Sequence, residues 1–378
     1  MKVAIVSLGR SHLINLARLL DQKTDVKVTF YTMMPKSRCR KFGYYGKVVS
    51  LLFPIGLGEV LIGMIPMINP YKRSALRFRL RKTFDKLVAF RLHICDVLIG
   101  LNGCAVYSSI KAKKFGAITI CDQGSSHIIK QNIVHYMYSN VHISEESTNF
   151  MLKHYDVVDF FMTPSDYVYQ SDVENNIQTD KLLKNPYGVN LNIFQPTINP
   201  KYSEDCFDVI MVGGWWKHKG CDMLAEACIN KLNLKLLHVG SVVDCELPDS
   251  PKFKHIPFVP ENQLLEYYKQ AKIFVLSSLD EGLALVQLQA AACGLPVVFS
   301  SRTGGSNVAE LLGYPKEFVE IKEPLNADTI AEAISKVIPI ADSMKSGIRT
   351  PYGDMLHNIS WDAYGNRWYE ILKKILKF

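Results

Sequence analysis

A carboxylate and a glycine stand side by side at Glu281 and Gly282, within SSLDEGLALVQLQAAACGLPVV (residues 277–298). The apolar residues 273–276 predict a buried parallel strand, and residues 283–293 have the composition of a helix. Because the first amides of a helix are unpaired and carry partial positive charge, such a strand-to-helix loop suits an anionic ligand. We therefore expect a phosphate or a sugar to bind here, at the carboxyl end of a sheet.

The backbone expected to face that ligand belongs to the start of the helix, at Gly282, Leu283, Ala284 and Leu285. Gln289 lies eight residues after Glu281, about two helical turns further on. Its side chain can accept a hydroxyl proton through oxygen and donate from nitrogen, but it lacks the charge that strengthens a carboxylate's hydrogen bonds. The loop and the helix together therefore offer the ligand one acid, Glu281, and one neutral amide, Gln289.

A second motif, FDVIMVGGWWKHKG at residues 207–220, predicts a strand, a tight turn and the start of a helix. This is the topology in which a loop cradles a diphosphate. Gly213 and Gly214 form the turn, and Lys217 and Lys219 supply the cations. A lysine placed there stabilises negative charge that develops on a phosphate, so we expect electrostatic catalysis to concentrate at Lys219.

These two motifs together resemble the signature of family 4 of the retaining nucleotide-sugar glycosyltransferases, which have the GT-B fold. In that family the first acid, here Glu281, hydrogen-bonds hydroxyls of the donor sugar, and a second acid holds the ribose diol; this chain has Gln289 instead. The family usually carries an arginine where this chain has Gly214, whereas its lysine is present as Lys219. The resemblance is sharpest over residues 163–312. Because Gln289 replaces the second acid of the family, we expect weakened donor affinity but retained activity.

The resemblance also implies roles for residues outside the two motifs. On the donor side, Gly9 approaches the diphosphate, and main-chain groups around Phe258 and Val259 meet the edge of the base. In related enzymes a histidine near the reacting sugar occupies the position of His127, in DQGSSH. The acceptor side is expected to include Arg10, His12 and Asp122, with Asp122 orienting either His127 or the acceptor hydroxyl.

The order of elements predicts an α/β protein of two domains, because 378 residues exceed one usual core and apolar strands alternate with helix-length segments. The expected fold is GT-B, with two Rossmann-like domains facing each other across a cleft. The resemblance implies that residues 1–195 form the acceptor-binding domain and residues 196–354 the donor-binding domain, with a helix within 355–378 packing back on the first. The boundary falls near FQPTINPKY (residues 194–202). The predicted strands cover residues 3–6, 26–31, 97–99, 118–120, 207–212, 234–239, 273–276 and 297–299.

Positive charge is concentrated at the front of the chain, where the first 100 residues hold 18 Lys and Arg against 5 Asp and Glu. Two basic clusters, at residues 36–41 and 72–82, flank the apolar residues 48–68. Prolines and glycines interrupt this stretch, so we interpret it as an interfacial element suited to an anionic membrane; a pair of buried helices is the alternative. Each basic group near such a surface gains about 1 kcal/mol. Nucleic acid is not expected as a partner, since no binding module accompanies the charge.

Nine cysteines without a CxxC pair, several of them in apolar runs, indicate reduced core thiols. Residues 1–7 lead directly into the first strand, which predicts a cytoplasmic protein, peripheral on the inner face of the plasma membrane. Without HExxH or a compact His and Cys cluster, we expect no metal and no cofactor besides the nucleotide-sugar substrate.

The predicted function is hexosyl transfer with retention from a nucleotide-diphosphate-sugar to a glycan acceptor, lipid-linked, in bacterial capsule, lipopolysaccharide or other surface polysaccharide synthesis. The family resemblance implies a front-face route, in which the departing phosphate oxygen accepts the proton of the acceptor hydroxyl. Two alternatives stay open. One is a non-catalytic subunit that scaffolds a partner glycosyltransferase, suggested by Gly214 and Gln289. The other is a nucleotide-sugar epimerase, which shares the two-domain fold.

Overall fold

Two all-parallel β-sheets organise the chain, and the computed structural model describes residues 1–64, 70–138, 143–198, 206–344 and 348–377. The first sheet has the order β3-β2-β1-β4-β5-β6-β7 and the second the order β10-β9-β8-β11-β12-β13. The first contains β1 (Lys2–Val6), β2 (Lys27–Thr32), β3 (Lys47–Ser50), β4 (Val97–Leu101), β5 (Ile118–Asp122), β6 (Phe160–Thr163) and β7 (Leu182–Lys184). The second contains β8 (Phe207–Val212), β9 (Leu236–Val239), β10 (Phe253–Ile256), β11 (Ala271–Leu276), β12 (Val297–Ser300) and β13 (Phe318–Ile321).

Helices cover both sheets, and several begin at a serine whose hydroxyl accepts from a backbone amide of the first turn, as Ser165 does from Val168. The first unit contains α1 (His12–Asp21), α2 (Lys36–Lys41), α3 (Leu57–Met64), α4 (Pro70–Arg91), α5 (Val106–Lys113), α6 (Ile128–Tyr138), α7 (Glu145–Val157) and α8 (Asp166–Glu174). The second contains α9 (Cys221–Ala225), α10 (Leu264–Tyr268), α11 (Leu285–Ala292), α12 (Gly305–Leu311) and α13 (Ala327–Ser343), and α14 (Trp361–Leu376) follows.

The predicted α/β class and the GT-B arrangement are confirmed. All eight strands expected from the apolar runs are present, because central parallel strands are buried on both faces and read as continuous apolar segments. The five that were not predicted have three or four residues each and lie at the edges of the sheets or next to them: β3, β6, β7, β10 and β13.

The last helix crosses back to the first unit, as expected of the fold. Helix α14 packs against α1 and buries Tyr364, Trp368 and Leu372. Tyr369 also donates a hydrogen bond of 2.9 Å to Asp25. The boundary between residues 195 and 196 stays a prediction; it falls between β7 and β8, and residues 199–202 of the predicted linker lie outside the described residues.

The carboxyl ends of the two sheets face each other and define the cleft. The loop after β5 meets the loop after β11 so closely that a Cβ atom on Gly282 would clash with the carbonyl of Gly124. Only glycine fits at this contact. In parallel α/β sheets, ligands bind beyond the carboxyl ends of the strands, so this cleft is where a site is expected.

The apolar stretch predicted over residues 48–68 is divided among β3, a π-helical turn (Leu52–Gly56) and α3; residues 65–68 lie outside the described residues. No residue of α3 is buried, which contradicts the alternative of two buried helices for this part of the stretch. Among the described residues, no helix is both long and apolar enough to span a bilayer.

Candidate active site

The two charged residues predicted to act on the donor meet in the cleft. The ammonium of Lys219 forms an ion pair with the carboxylate of Glu281, and each side chain is about one-fifth exposed. Lys219 ends a 3₁₀ turn (Lys217–Lys219) after β8, and Glu281 lies in the loop after β11. Two neighbouring strands of one sheet therefore bring together residues that are 62 positions apart in the sequence.

Backbone contacts fix the relative position of these two loops. Ser277, at the end of β11, donates from its hydroxyl to the carbonyls of Lys219 (3.2 Å) and Gly220 (3.1 Å). Gly220 has a left-handed φ of 67°, and a Cβ atom there would lie 2.5 Å from the Ser277 carbonyl oxygen. A glycine directly after the lysine is thus required by both conformation and space.

The strand-to-helix loop offers fewer free amides than the sequence suggested. The structure assigns Ala284 as the N-cap of α11, and its amide donates to the carbonyl of Thr303 at 3.3 Å. The expectation that this amide faces a ligand is therefore wrong. Within the described part of the chain, the amides of Gly282 and Leu283 have no hydrogen-bond partner. Two amides next to Glu281 are left to receive an anion or a sugar oxygen.

Gln289 lies on α11 and is buried. Its Oε1 atom accepts a hydrogen bond of 3.2 Å from the hydroxyl of Tyr268. The amide oxygen keeps a second lone pair, so Gln289 can offer a ligand one acceptor and its donor nitrogen. A donor nitrogen in place of the second oxygen of a carboxylate would weaken the hold on a diol.

In the turn after β8, the ring of Trp216 lies where the family resemblance leads us to expect the arginine side chain at position 214. A Cβ atom on Gly214 would overlap the indole of Trp216, so this ring covers the position from which a longer side chain would extend. Trp215 is fully buried and donates from its indole to the carbonyl of Glu246, so it is a packing residue. Lys217 is exposed at the rim.

On the first unit, two predicted acceptor-side residues pair with each other. His12 Nε2 lies 2.6 Å from Asp122 Oδ1, and the imidazole packs on the ring of Tyr187 at 4.2 Å between centroids. Asp122 therefore orients His12, and the idea that it orients His127 is wrong. Its second oxygen, Oδ2, is buried without a hydrogen-bond partner among the described residues. The buried carboxylate of Asp122 can therefore still accept one hydrogen bond through Oδ2.

His127 follows the loop that touches Gly282 and is 3% exposed. Its Nδ1 atom accepts from the amide of Ile129 at 3.3 Å, and its ring packs against Tyr155. Burial lowers the pKa of His127 to about 4, so the imidazole is neutral at pH 7. A neutral histidine can position a sugar hydroxyl but does not carry charge to the reaction.

The remaining predicted residues lie around the cleft without joining the ion pair. Arg10 forms an ion pair with Glu261 of the second unit and lies over the ring of Phe42. A Cβ atom added to Gly9 would meet no other atom within 4 Å. Phe258 and Val259 follow the edge strand β10, and the Phe258 side chain is 76% exposed.

Sequence reasoning missed the residues that tie the two units together at the site. Asp280, next to Glu281, accepts hydrogen bonds from Ser126 and Tyr167 of the first unit. The only local signal was a second acid in the LDEG motif, which has no periodicity of its own. No group of three or more His, Cys, Asp or Glu that could hold a metal occurs in the described ranges. Metal independence stays a prediction.

Comparison with known sequences places the site in a recognised segment. A family model described as "Glycosyl transferases group 1" matches residues 206–339, which contain both Lys219 and Glu281. An uncharacterized glycosyltransferase of Methanocaldococcus jannaschii is 26% identical over 234 residues, covering 58% of this chain and 57% of that protein. The D-inositol 3-phosphate glycosyltransferase of Streptosporangium roseum is 29% identical over 164 residues, covering 36% and 38%. The chain thus spans less than two thirds of the length of these relatives.

Comparison with solved structures shows the fold over the whole chain. The Anabaena protein HepE, solved in complex with UDP and glucose, superposes with a TM-score of 0.66 and 12% identity, covering 99% of each chain. Together with the matched segment, this likeness supports a GT-B glycosyltransferase. Membership of retaining family 4 stays a prediction.

Proposed function

We propose that this chain is a retaining glycosyltransferase that moves a hexose from a nucleotide-diphosphate-sugar to a hydroxyl of a lipid-linked glycan, in bacterial surface polysaccharide synthesis. The observation that carries the proposal is the ion pair of Lys219 and Glu281 at the mouth of the cleft, inside the segment that matches group 1 glycosyltransferases. Opposite this pair, the first unit contributes the loop that leads to His127.

The geometry suggests a role for each residue in binding the donor and in stabilising charge during transfer. A donor diphosphate would draw the Lys219 ammonium away from Glu281 and leave the carboxylate free to accept from sugar hydroxyls. The amides of Gly282 and Leu283 would donate to the sugar or phosphate oxygens, and neutral His127 would hold the sugar from the other side. As the glycosidic bond breaks, Lys219 would stabilise charge on the departing diphosphate, whose oxygen takes the acceptor proton.

The proposal is tested by assaying the protein with UDP-, GDP-, ADP- and dTDP-linked sugars and a panel of glycan acceptors. Transfer or slow release of free sugar supports a transferase, whereas interconversion of the nucleotide sugar supports an epimerase. NMR then gives the anomeric configuration of the product. An inverted product contradicts the retaining mechanism while leaving glycosyl transfer intact.

A non-catalytic subunit is the second candidate, and specific observations favour it. Trp216 covers the space of the absent arginine, and the oxygen of Gln289 is already bonded to Tyr268. Both changes weaken the donor site without disturbing the fold. Stable binding of a partner glycosyltransferase, together with no turnover on any donor, would support this second function.

The substitution Gln289→Glu tests whether this residue belongs to the donor site. In a catalytic protein, a carboxylate facing the ribose adds a charge-assisted hydrogen bond, so we expect nucleotide affinity to rise about tenfold. Isothermal titration with each nucleoside diphosphate measures it, and Gln178→Glu adds the same charge on an exposed residue of the first unit as a control. Unchanged or weaker affinity in Gln289→Glu would remove this residue from the donor site.

We further propose that an anionic membrane is the partner of the first unit, which places the protein on the inner face of the plasma membrane. The exposed side of α3 is an apolar stripe with helical spacing, formed by Leu57, Val60, Leu61 and Met64. Helix α4 follows with exposed basic residues, including Arg77 and Arg79. An apolar stripe beside basic groups is the composition of an interfacial helix, and it would bring the site to a lipid-linked acceptor.

Flotation with vesicles tests the membrane surface. We expect the wild-type protein to float with vesicles that contain phosphatidylglycerol, and the triple variant Val60→Ser/Leu61→Ser/Met64→Ser to lose most of this binding. Tyr314→Ser/Ile348→Ser removes exposed apolar side chains from the second unit and serves as the control. Equal flotation of the triple variant and the wild type would contradict the assignment.

A further inference from the structure

The carboxylate of Asp280 joins the two units directly beside Glu281. It lies in the loop after β11 and accepts hydrogen bonds from the hydroxyls of Ser126 (2.6 Å) and Tyr167 (2.9 Å). Ser126 belongs to the loop after β5, and Tyr167 belongs to α8, so both donors come from the first unit. One side chain of the donor-binding unit is therefore held by two separate elements of the other.

The residue on the other side of Glu281 is held from the first unit as well. The carbonyl of Gly282 accepts from the hydroxyl of Ser165 at 2.5 Å, and its Cα packs against the Gly124 carbonyl. Glu281 itself contacts Lys219 of its own unit. Of the three consecutive residues in this loop, Asp280 and Gly282 are therefore held by the first unit, whereas Glu281 between them contacts Lys219 at the proposed donor site.

A third contact supports the same arrangement from α12. Asn307 accepts from the amide of Asp166 at 2.8 Å and donates to its carboxylate at 2.7 Å. Asp166 and Tyr167 are adjacent at the start of α8. The start of α8 therefore bridges both the loop of Asp280 and the helix that follows β12.

The chemistry of these bonds makes them sensitive to domain separation. Hydroxyl groups bonded to a carboxylate form strong, short hydrogen bonds, and they weaken steeply once donor and acceptor part. The side chains of Asp280 and Tyr167 are both partly buried, and this burial raises the pKa of each group. Opening the cleft would expose the carboxylate and break both bonds at once.

We propose that Asp280 is an interdomain latch, a positioning residue that holds Glu281 in register with the donor only while the two units are closed. The latch rests on the proposed function, since it acts through Glu281. It assigns Ser126 and Tyr167 a role in turnover through their hydrogen bonds to Asp280. Nucleotide binding, which uses the second unit, does not require the latch.

Kinetics give the first test, with Asp280→Ala, Ser126→Ala and Tyr167→Phe. We expect Asp280→Ala to lower kcat at least tenfold and to change the affinity for the nucleoside diphosphate less than twofold. The double variant Asp280→Ala/Tyr167→Phe should be no slower than Asp280→Ala alone, because both changes break one latch. Additive losses, or an equal loss of nucleotide affinity, would overturn the proposal.

Matched controls remove similar bonds that do not link the two sheets across the cleft. Ser301→Ala removes a hydroxyl bond to the carboxylate of Glu323, and Tyr369→Phe removes one to Asp25. Both should keep kcat within twofold of the wild type. If they lower kcat as much as Ser126→Ala and Tyr167→Phe do, the effect is general destabilisation and the latch is refuted.

Small-angle X-ray scattering gives a test that does not depend on turnover. With the nucleoside diphosphate bound, the Asp280→Ala protein should have a larger radius of gyration than the wild type, and Asp280→Asn, which keeps one acceptor oxygen, should lie between them. Identical radii for all three proteins would overturn the latch. If the wild type turns over no donor and the Asp280→Ala protein still has the larger radius of gyration, the proposed function is refuted and the latch is kept.

Discussion

Glu281→Gln is expected to lower kcat about 100-fold or more, the scale found when one preorganised group of a catalytic site is removed. Glutamine keeps the shape of the side chain but removes the negative charge that pairs with Lys219 and that, in the proposed mechanism, strengthens the hydrogen bonds to sugar hydroxyls. Single-turnover transfer measures the loss, and titration should show nucleotide affinity within threefold of the wild type. The split between kcat and affinity identifies a group that acts on the sugar.

Glu332→Gln is the matched control for this substitution, because Glu332 is an exposed carboxylate that pairs with Lys322 and Lys336 on the surface of the same unit. Exposed surface pairs of this kind contribute little to stability, so activity and folding should be unchanged. A Glu281→Gln protein that keeps kcat within twofold would remove the carboxylate from the mechanism.

Lys219→Ala is expected to lower kcat at least tenfold, and about 100-fold if departure of the diphosphate limits the rate. The ammonium is the cation that the structure places beside Glu281, and the missing arginine at Gly214 leaves it without a guanidinium partner. Transfer under saturating donor gives kcat. Replacement by arginine should not restore the rate, because the fork of a guanidinium differs from a compact ammonium.

The control for the lysine is Lys231→Ala, which removes an exposed cation paired with Asp328 on the same unit. It should leave transfer unchanged. Combining Lys219→Ala with Glu281→Gln should cost less than the sum of the two single losses, since the residues contact each other. Strict additivity would show that the two groups act at separate steps.

The sequence was sufficient to predict that Lys219 and Glu281 lie at the carboxyl end of the second sheet; their binding of a donor stays a prediction. Strand ends, a glycine after Lys219 and the loop before α11 are all local signals, and parallel neighbours in a sheet bring their carboxyl ends together. Lys219 and Glu281 could therefore be placed in one cleft without knowledge of tertiary contacts. The same reasoning predicted the central strands, whose apolar runs are continuous.

The contacts made by distant segments could not be predicted in this way. The partner of Asp122 is His12, 110 residues earlier, and nothing in either local pattern favours it over His127. The amide of Ala284 is used by Thr303, which depends on how β12 ends. Asp280 is informative only once the two units are placed face to face. Such pairs depend on the tertiary arrangement rather than on periodicity.

The return of α14 to α1 has a consequence for the order of events at the ribosome. Residues 361–376 leave the exit tunnel only after the whole second unit, so the α1 surface of the nascent first unit stays uncovered until then. Its neighbouring unit can complete its own sheet earlier. The cover over α1 is therefore completed only once residues 361–376 have been made, although the first sheet is synthesised long before them.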